Sequence, residues 1–183
     1  MKIEYFLMPI IFVLLFNAIG CNELPPAPQI IREKPQLIIN PSFEDVGLPS
    51  LKGWICPSAP LLKVQMVAPP GGGLYSIFLK SSEDGAIVST KVAAISGNHI
   101  YKLSVWGKVT RLSALMQLYF QHNDSLSIRK SISISSKEWN QYLVYDTISA
   151  VYGDSMKVVL SGTISSTPQP YTWFDVCELE VED

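Results

Sequence analysis

Trp106, Gln117, Tyr119 and Gln121 combine large rings with planar amides in two neighbouring segments of the chain. Rings pack against apolar C–H surfaces, and amides donate and accept hydrogen bonds together, so this set suits a polyhydroxylated ligand such as a sugar. Groups that make and break bonds are scarcer. Ser127 and Lys130 match S-x-x-K, but residues three apart on a strand point to opposite faces, so they cannot act as a pair there. His99 and His122 are the only histidines, and neither has a partner at zinc spacing. Gly71 to Gly73 lack the Lys-Ser or Lys-Thr that completes a phosphate loop. Acids cluster at turns and termini, not as the facing pair that glycoside hydrolysis needs. The chemistry on offer is binding, and no enzyme activity is expected.

The segments that must position these groups read as strands. "IYKLSVWGK" alternates Tyr101, Leu103 and Val105 against Lys102, Ser104 and Trp106, and "LMQLYFQH" alternates Met116, Leu118 and Phe120 against Gln117, Tyr119 and Gln121. "SISIS", "QYLVYDTI" and "MKVVLSG" continue the pattern. "PPGGG", "EDG", "SGN", "HND", "YGD" and "SSTPQP" supply the turns. No window shows a helical stripe. Short strands at regular spacing predict an all-β fold, an antiparallel β-sandwich or barrel of a single domain. With Val109 to Ala114 as a hairpin turn, Trp106 lies opposite Gln117 and Ser104 opposite Tyr119, which gathers the aromatic and amide set on one outward face. The reversed parity would put Trp106 in the core instead. Trp173 shares parity with Cys177, Leu179 and Val181 and reads as core, whereas Trp139 reads as packing at a sheet edge; either could instead line a site at the loop end of the sandwich. The "APPGGGLY" loop offers Tyr75 to a second site at the loop end of the sandwich.

The two ends of the chain fix its expected setting. Net charge is −2 and only 16% of residues are charged, with no basic stripe, so nucleic acid is not an expected partner. Lys2 followed by the apolar run from Tyr5 to Phe16 reads as an export signal, too short for a membrane span. The run closes in "NAIGC", which resembles the bacterial lipoprotein box. That resemblance implies cleavage after residue 20, a lipid on Cys21, and anchoring to a membrane of the cell envelope. Residues 21–36 carry Pro25, Pro26, Pro28 and Pro35 and read as an extended tether. The folded domain is expected over 37–183.

"INPSFED", the "GW" of Gly53 and Trp54, "GLYSIFLKSS", "GNHIYKLSVWGK" and "WFDVCELEVE" occur in that order. Together they resemble the jelly-roll carbohydrate-binding modules of the galactose-binding-like type, the group of families four, nine and twenty-two. The resemblance implies a jelly-roll sandwich whose first and last strands run side by side. It implies Trp54 packed under a loop, and glycan held on one sheet face. It also implies a structural calcium ion, Ca2+, with Glu44 and Asp175 at the matching positions, although Val176 stands where the family carries a second acid; the alternative is that both carboxylates cap strand ends or accept from backbone amides without metal. Calcium takes six to eight hard oxygens, which carboxylates and loop carbonyls supply. The expectation is a non-catalytic glycan-binding lipoprotein with Trp106, Tyr119, Gln117, Gln121 and Tyr75 at the ligand. The alternative is a structural or adhesion lipoprotein that turns the same face to an envelope protein. Cys56 and Cys177 could pair in an exported domain, or stay as two buried thiols.

Overall fold

The computed structural model describes residues 34–57, 62–81, 86–165 and 170–182. The export signal, Cys21 and most of the tether lie outside the described residues. Pairing begins slightly ahead of the expected domain start: Gln36 bridges to Glu180, and Leu37 N–H donates to Leu179 O at 2.9 Å. The opening segment thus runs beside the closing strand, as the family resemblance implied.

All regular elements among the described residues are strands. In chain order they are β1 (Glu44–Asp45), β2 (Leu48–Pro49), β3 (Leu62–Gln65), β4 (Ser76–Lys80), β5 (Ile87–Ala93), β6 (Gly97–Val109), β7 (Ala114–His122), β8 (Ser125–Ile134), β9 (Asn140–Ala150), β10 (Ser155–Ser161) and β11 (Tyr171–Glu182). A five-stranded sheet runs β3-β4-β11-β6-β9, a four-stranded sheet runs β5-β10-β7-β8, and β1-β2 is a small hairpin. All strand pairings among the described residues are antiparallel. The expected antiparallel jelly-roll sandwich is the observed fold.

Period-two patterning explains the layers. Tyr101, Leu103 and Val105 of β6, Ile77 and Leu79 of β4, and Leu179 and Val181 of β11 line the inner side of the five-stranded sheet. Met116 and Leu118 of β7 and Met156, Val158 and Leu160 of β10 face them from the four-stranded sheet, and all of these are buried. Each full burial of such a side chain contributes roughly 1.5–3 kcal/mol. Trp54 joins this core, its ring centroid 4.9 Å from that of Phe43 and its Nε1–H donating to Asn40 O at 2.8 Å. Cys56 and Cys177 are free thiols. Cys177 is sealed in the core on β11, while Cys56 follows Ile55, whose bridge to Ser89 ties it to the edge strand of the other sheet.

Two expectations about strand geometry fail. β6 and β7 do not form a hairpin: β6 pairs with β11 and β9, and β7 pairs with β10 and β8. The Thr110–Ser113 link, with Leu112 at φ 59°, carries the chain from one sheet to the other. Nor is Trp173 in the core. Asp175 pairs with Trp106 and Glu178 with Ser104, so one extra residue is inserted in β11. Val176, at φ 44°, is that residue. A one-residue bulge reverses the alternation on either side of it. Phe174 and Leu179 therefore both point inward, and Trp173 points out.

Candidate functional site

The bulge lets β11 serve the core with its C-terminal half while its N-terminal half turns Tyr171, Trp173 and Asp175 to the outside of the five-stranded sheet. Register then sets a row across the strands. Trp173 pairs with Phe78 of β4 on one side and with Lys108 of β6 on the other. Trp139, just before β9, stands next to Lys108 because Asn140 pairs with Gly107. The Lys108 ammonium lies 4.9 Å from the Trp139 ring centroid and 5.1 Å from that of Trp173. Such cation–ring contacts contribute about 0.5–1 kcal/mol at exposed sites. Phe78 packs 5.2 Å from Trp173 and 5.1 Å from Tyr171, and Trp173 Nε1–H donates to Gln65 Oε1 at 3.0 Å. These rings are half-buried: held in place from below and open above. Three strand spacings separate β4 from β9, so the shelf extends about 14 Å. That is the length of a short oligosaccharide rather than of one ring.

Trp106 points outward, as its alternation predicts, and flanks this shelf in the next row between Asp175 and Gln141. Gln117, Tyr119 and Gln121 also point outward, but from β7 on the other sheet. The single face expected to gather all four is therefore two faces on opposite sides of the sandwich, because the predicted β6–β7 hairpin does not exist. Phe78, Tyr171 and Lys108 were not expected to be part of a site, and Trp139 and Trp173 were expected in one only as the alternative at the loop end of the sandwich. Only Y-T-W-F-D, read as Tyr171, Trp173 and Asp175 against Thr172 and Phe174, carried a signal for part of the shelf.

Tyr75 is half-buried at the end of the Pro69–Gly73 loop, and its backbone is held at the other expected site. Glu44 Oε1 accepts from Tyr75 N–H at 2.7 Å and from Leu74 N–H. Asn40 braces this corner, with Oδ1 accepting from Glu44 N–H at 3.0 Å and Nδ2 donating to Ser50 O at 2.9 Å. The bulge packs against the same turn through Cys177 N–H to Pro41 O at 2.8 Å. Asp175 is fully buried there: Oδ1 accepts from Val176 N–H at 2.8 Å, and Oδ2 has no partner. Burial pushes its carboxyl up to about 7; the Val176 N–H opposes this, and the negative charge of Glu44 adds to it. The loop reaches both carboxylates only because it is glycine. A Cβ on Gly72 would lie 2.8 Å from Asp175 Oδ2, and one on Gly73 would run into the Glu44 carboxylate. An orphaned buried oxygen, a second carboxylate and a side-chain-free loop make a donor set for a hard cation. Among the described residues no group of three or more acidic, His or Cys side chains could hold a metal, so backbone carbonyls would have to complete the shell.

The two-sheet jelly roll is matched by solved structures of carbohydrate-binding modules. A family 61 module in complex with β-1,4-galactotriose superposes with a TM-score of 0.58 at 18% identity, covering 81% of this chain and 99% of that one. A family 16 module gives 0.59 at 20% identity, covering 78% and 98%. The CBM22-1 xylan-binding domain of Xyn10C from Paenibacillus barcinonensis gives 0.52 at 13% identity, covering 81% and 97%. At these identities the likeness is one of fold. No family model matches the chain, and no curated protein matches it by sequence.

Proposed function

We propose that this chain binds a glycan, without catalysis, on the outer face of its five-stranded sheet. The observation that carries the reading is the row of half-buried rings, Phe78, Trp173 and Trp139, with Trp106 beside it, on a face that the core does not need. Apolar sugar faces stack on the indoles, and Gln65, Gln141 and Lys108 take hydroxyls. The solved modules of the same fold include one holding galactotriose and one described as xylan-binding, which supports this ligand class. The acids on this face do not form a facing pair: Glu180 is held by Lys102 at 2.7 Å, Glu182 by Lys34, Glu178 accepts from Ser104 Oγ at 3.5 Å, and Asp175 lies under the loop. That arrangement supports binding over hydrolysis, which needs two free carboxyls across a cleft.

Calcium belongs to the same proposal. Glu44 and Asp175 would hold the ion with loop carbonyls, and its charge would compensate the buried Asp175 carboxylate and the half-buried Glu44 beside it. The protein is exported and anchored to the bacterial envelope through a lipid on Cys21, a reading supported by the signal and the "NAIGC" box.

Affinity electrophoresis in gels cast with β-1,4-galactan, xylan or other neutral glycans tests the reading. Wild type is retarded by at least one of them. Trp173→Ala and Trp106→Ala each weaken that retardation about tenfold, the scale of one lost stacking contact. Free migration of wild type through every neutral glycan rejects the proposal.

A further inference from the structure

The outer face of the four-stranded sheet is chemically unlike the aromatic shelf. β5, β7, β8 and β10 contain no acidic residue and four cationic ones, Lys91, Arg129, Lys130 and Lys157. Arg129 and Lys130 are drawn to Asp146 on β9. Lys91 and Lys157 remain on the outward side, and they are directly opposite one another across the β5–β10 pair. Like charges in direct cross-strand register are destabilising. Nothing on the sheet compensates them. Lys91 Nζ donates to Gln121 Oε1 at 2.8 Å, a neutral acceptor that Ser155 Oγ also reaches at 3.4 Å. Asp154, which lines the depression beside Lys91, is buried and committed to His122 Nδ1 at 2.8 Å and Val151 N–H at 2.9 Å.

Beside the two ammonium groups stand the side chains that read hydroxyls. Tyr119 pairs with Lys157 in register, and its Oη donates to Gln117 Oε1 at 3.3 Å. Next to Lys91 and Ser155 the surface falls into a depression of about 470 Å³, with Tyr152 on its rim. Two uncompensated cations, an aromatic ring and two amides fit one carboxylate on a hydroxyl-rich framework. A bare polyanion would not use the amides, and a neutral sugar would not use the lysines.

We propose that this face is a second binding surface, selective for acidic glycans of the uronate type. Lys91 and Lys157 take the sugar carboxylate, and Gln117, Tyr119 and Gln121 take neighbouring hydroxyls. The surface lies on the opposite side of the sandwich from the aromatic shelf and works independently of it.

The test compares retardation of the full chain in gels cast with polygalacturonate, fully methyl-esterified polygalacturonate and dextran sulfate at matched ionic strength. Polygalacturonate retards wild type, the ester does not, and dextran sulfate does so at least tenfold less. The Lys91→Gln/Lys157→Gln double variant loses the polygalacturonate shift at least tenfold, while its melting temperature is unchanged or higher because the like-charge pair is gone. Trp173→Ala keeps the polygalacturonate shift even where it loses neutral glycan. The proposal is overturned by free migration of wild type in polygalacturonate or by an undiminished shift in the double variant. Equal retardation by the methyl ester or by dextran sulfate overturns it as well.

Discussion

Asp175 is fully buried on the outward side of β11, with one oxygen held by Val176 N–H and the other unpartnered. Its pKa moves from the ordinary 3.8 to about 7, a shift of about 4 kcal/mol between protonation states. The folded state holds this proton more tightly than the unfolded chain does. Without metal, its contribution is therefore complete below about pH 4 and is lost as pH rises to 7. In a chelator at pH 8, Asp175→Asn is expected to melt several degrees above wild type, and at pH 4 the two should coincide. Thermal melts across pH read this directly. If calcium occupies the corner, millimolar calcium raises the wild-type melting temperature at pH 8 and leaves Asp175→Asn and Glu44→Gln nearly unmoved. Equal calcium responses in all three proteins would remove Glu44 and Asp175 as ligands. Both residues were legible as a candidate pair because each sits in a short motif of the resembling family. The glycine loop that closes over them was legible as a turn and as the carrier of Tyr75, but not as the cover of the two carboxylates.

Among the elements, β11 decides what the five-stranded sheet can present. Val176 is a β-branched residue in the left-handed region, where side-chain and carbonyl sterics cost about 1–2 kcal/mol. Val176→Gly should relieve that strain and shift the melting temperature by no more than a few degrees in either direction, since packing of the side chain is lost too. Deleting Val176 is a different experiment. It leaves one regular alternation, with Thr172, Phe174, Cys177, Leu179 and Val181 on the core face and Tyr171, Trp173 and Asp175 still outward, at the register both halves already keep with β6. A folded protein with a cooperative melt is therefore expected, and loss of that melt would show that the bulge itself, which brings Cys177 N–H to Pro41 O, is required. This bulge is also why alternation misplaced Trp173: period-two reading extends one phase along a whole strand, and an inserted residue leaves no trace in composition. The β6–β7 error has a similar origin. Thr110–Ser113 has the length of a hairpin turn, and whether such a turn returns to its own sheet or crosses to the other depends on pairings with β11 and β10, which are distant in sequence.

For the whole molecule, the sandwich was readable because each strand alternates cleanly over most of its length and the core needs no other signal. What a single strand cannot state is which sheet it joins, and that unknown split the expected face in two. The residues from Lys34 onward form one compact unit that includes the Gln36–Glu180 bridge and the Lys34–Glu182 ion pair. A chain cut to begin at Lys34 should therefore melt with wild type, within about 2 °C. A cut to Ile38 should melt clearly lower, because Gln36 Oε1 also accepts from Leu179 N–H at 2.9 Å and from Ile38 N–H at 3.0 Å. Calorimetry of the two truncated chains separates these outcomes. The unequal charge of the two sheets has a reach beyond either face. The five-stranded sheet carries all of the acids found in the sandwich strands, and the four-stranded sheet carries none. Counted over the strands, the charges thus set up a dipole whose axis crosses the sandwich. Near any negatively charged layer the molecule feels a torque that turns its cationic side inward, leaving the indoles facing the open medium.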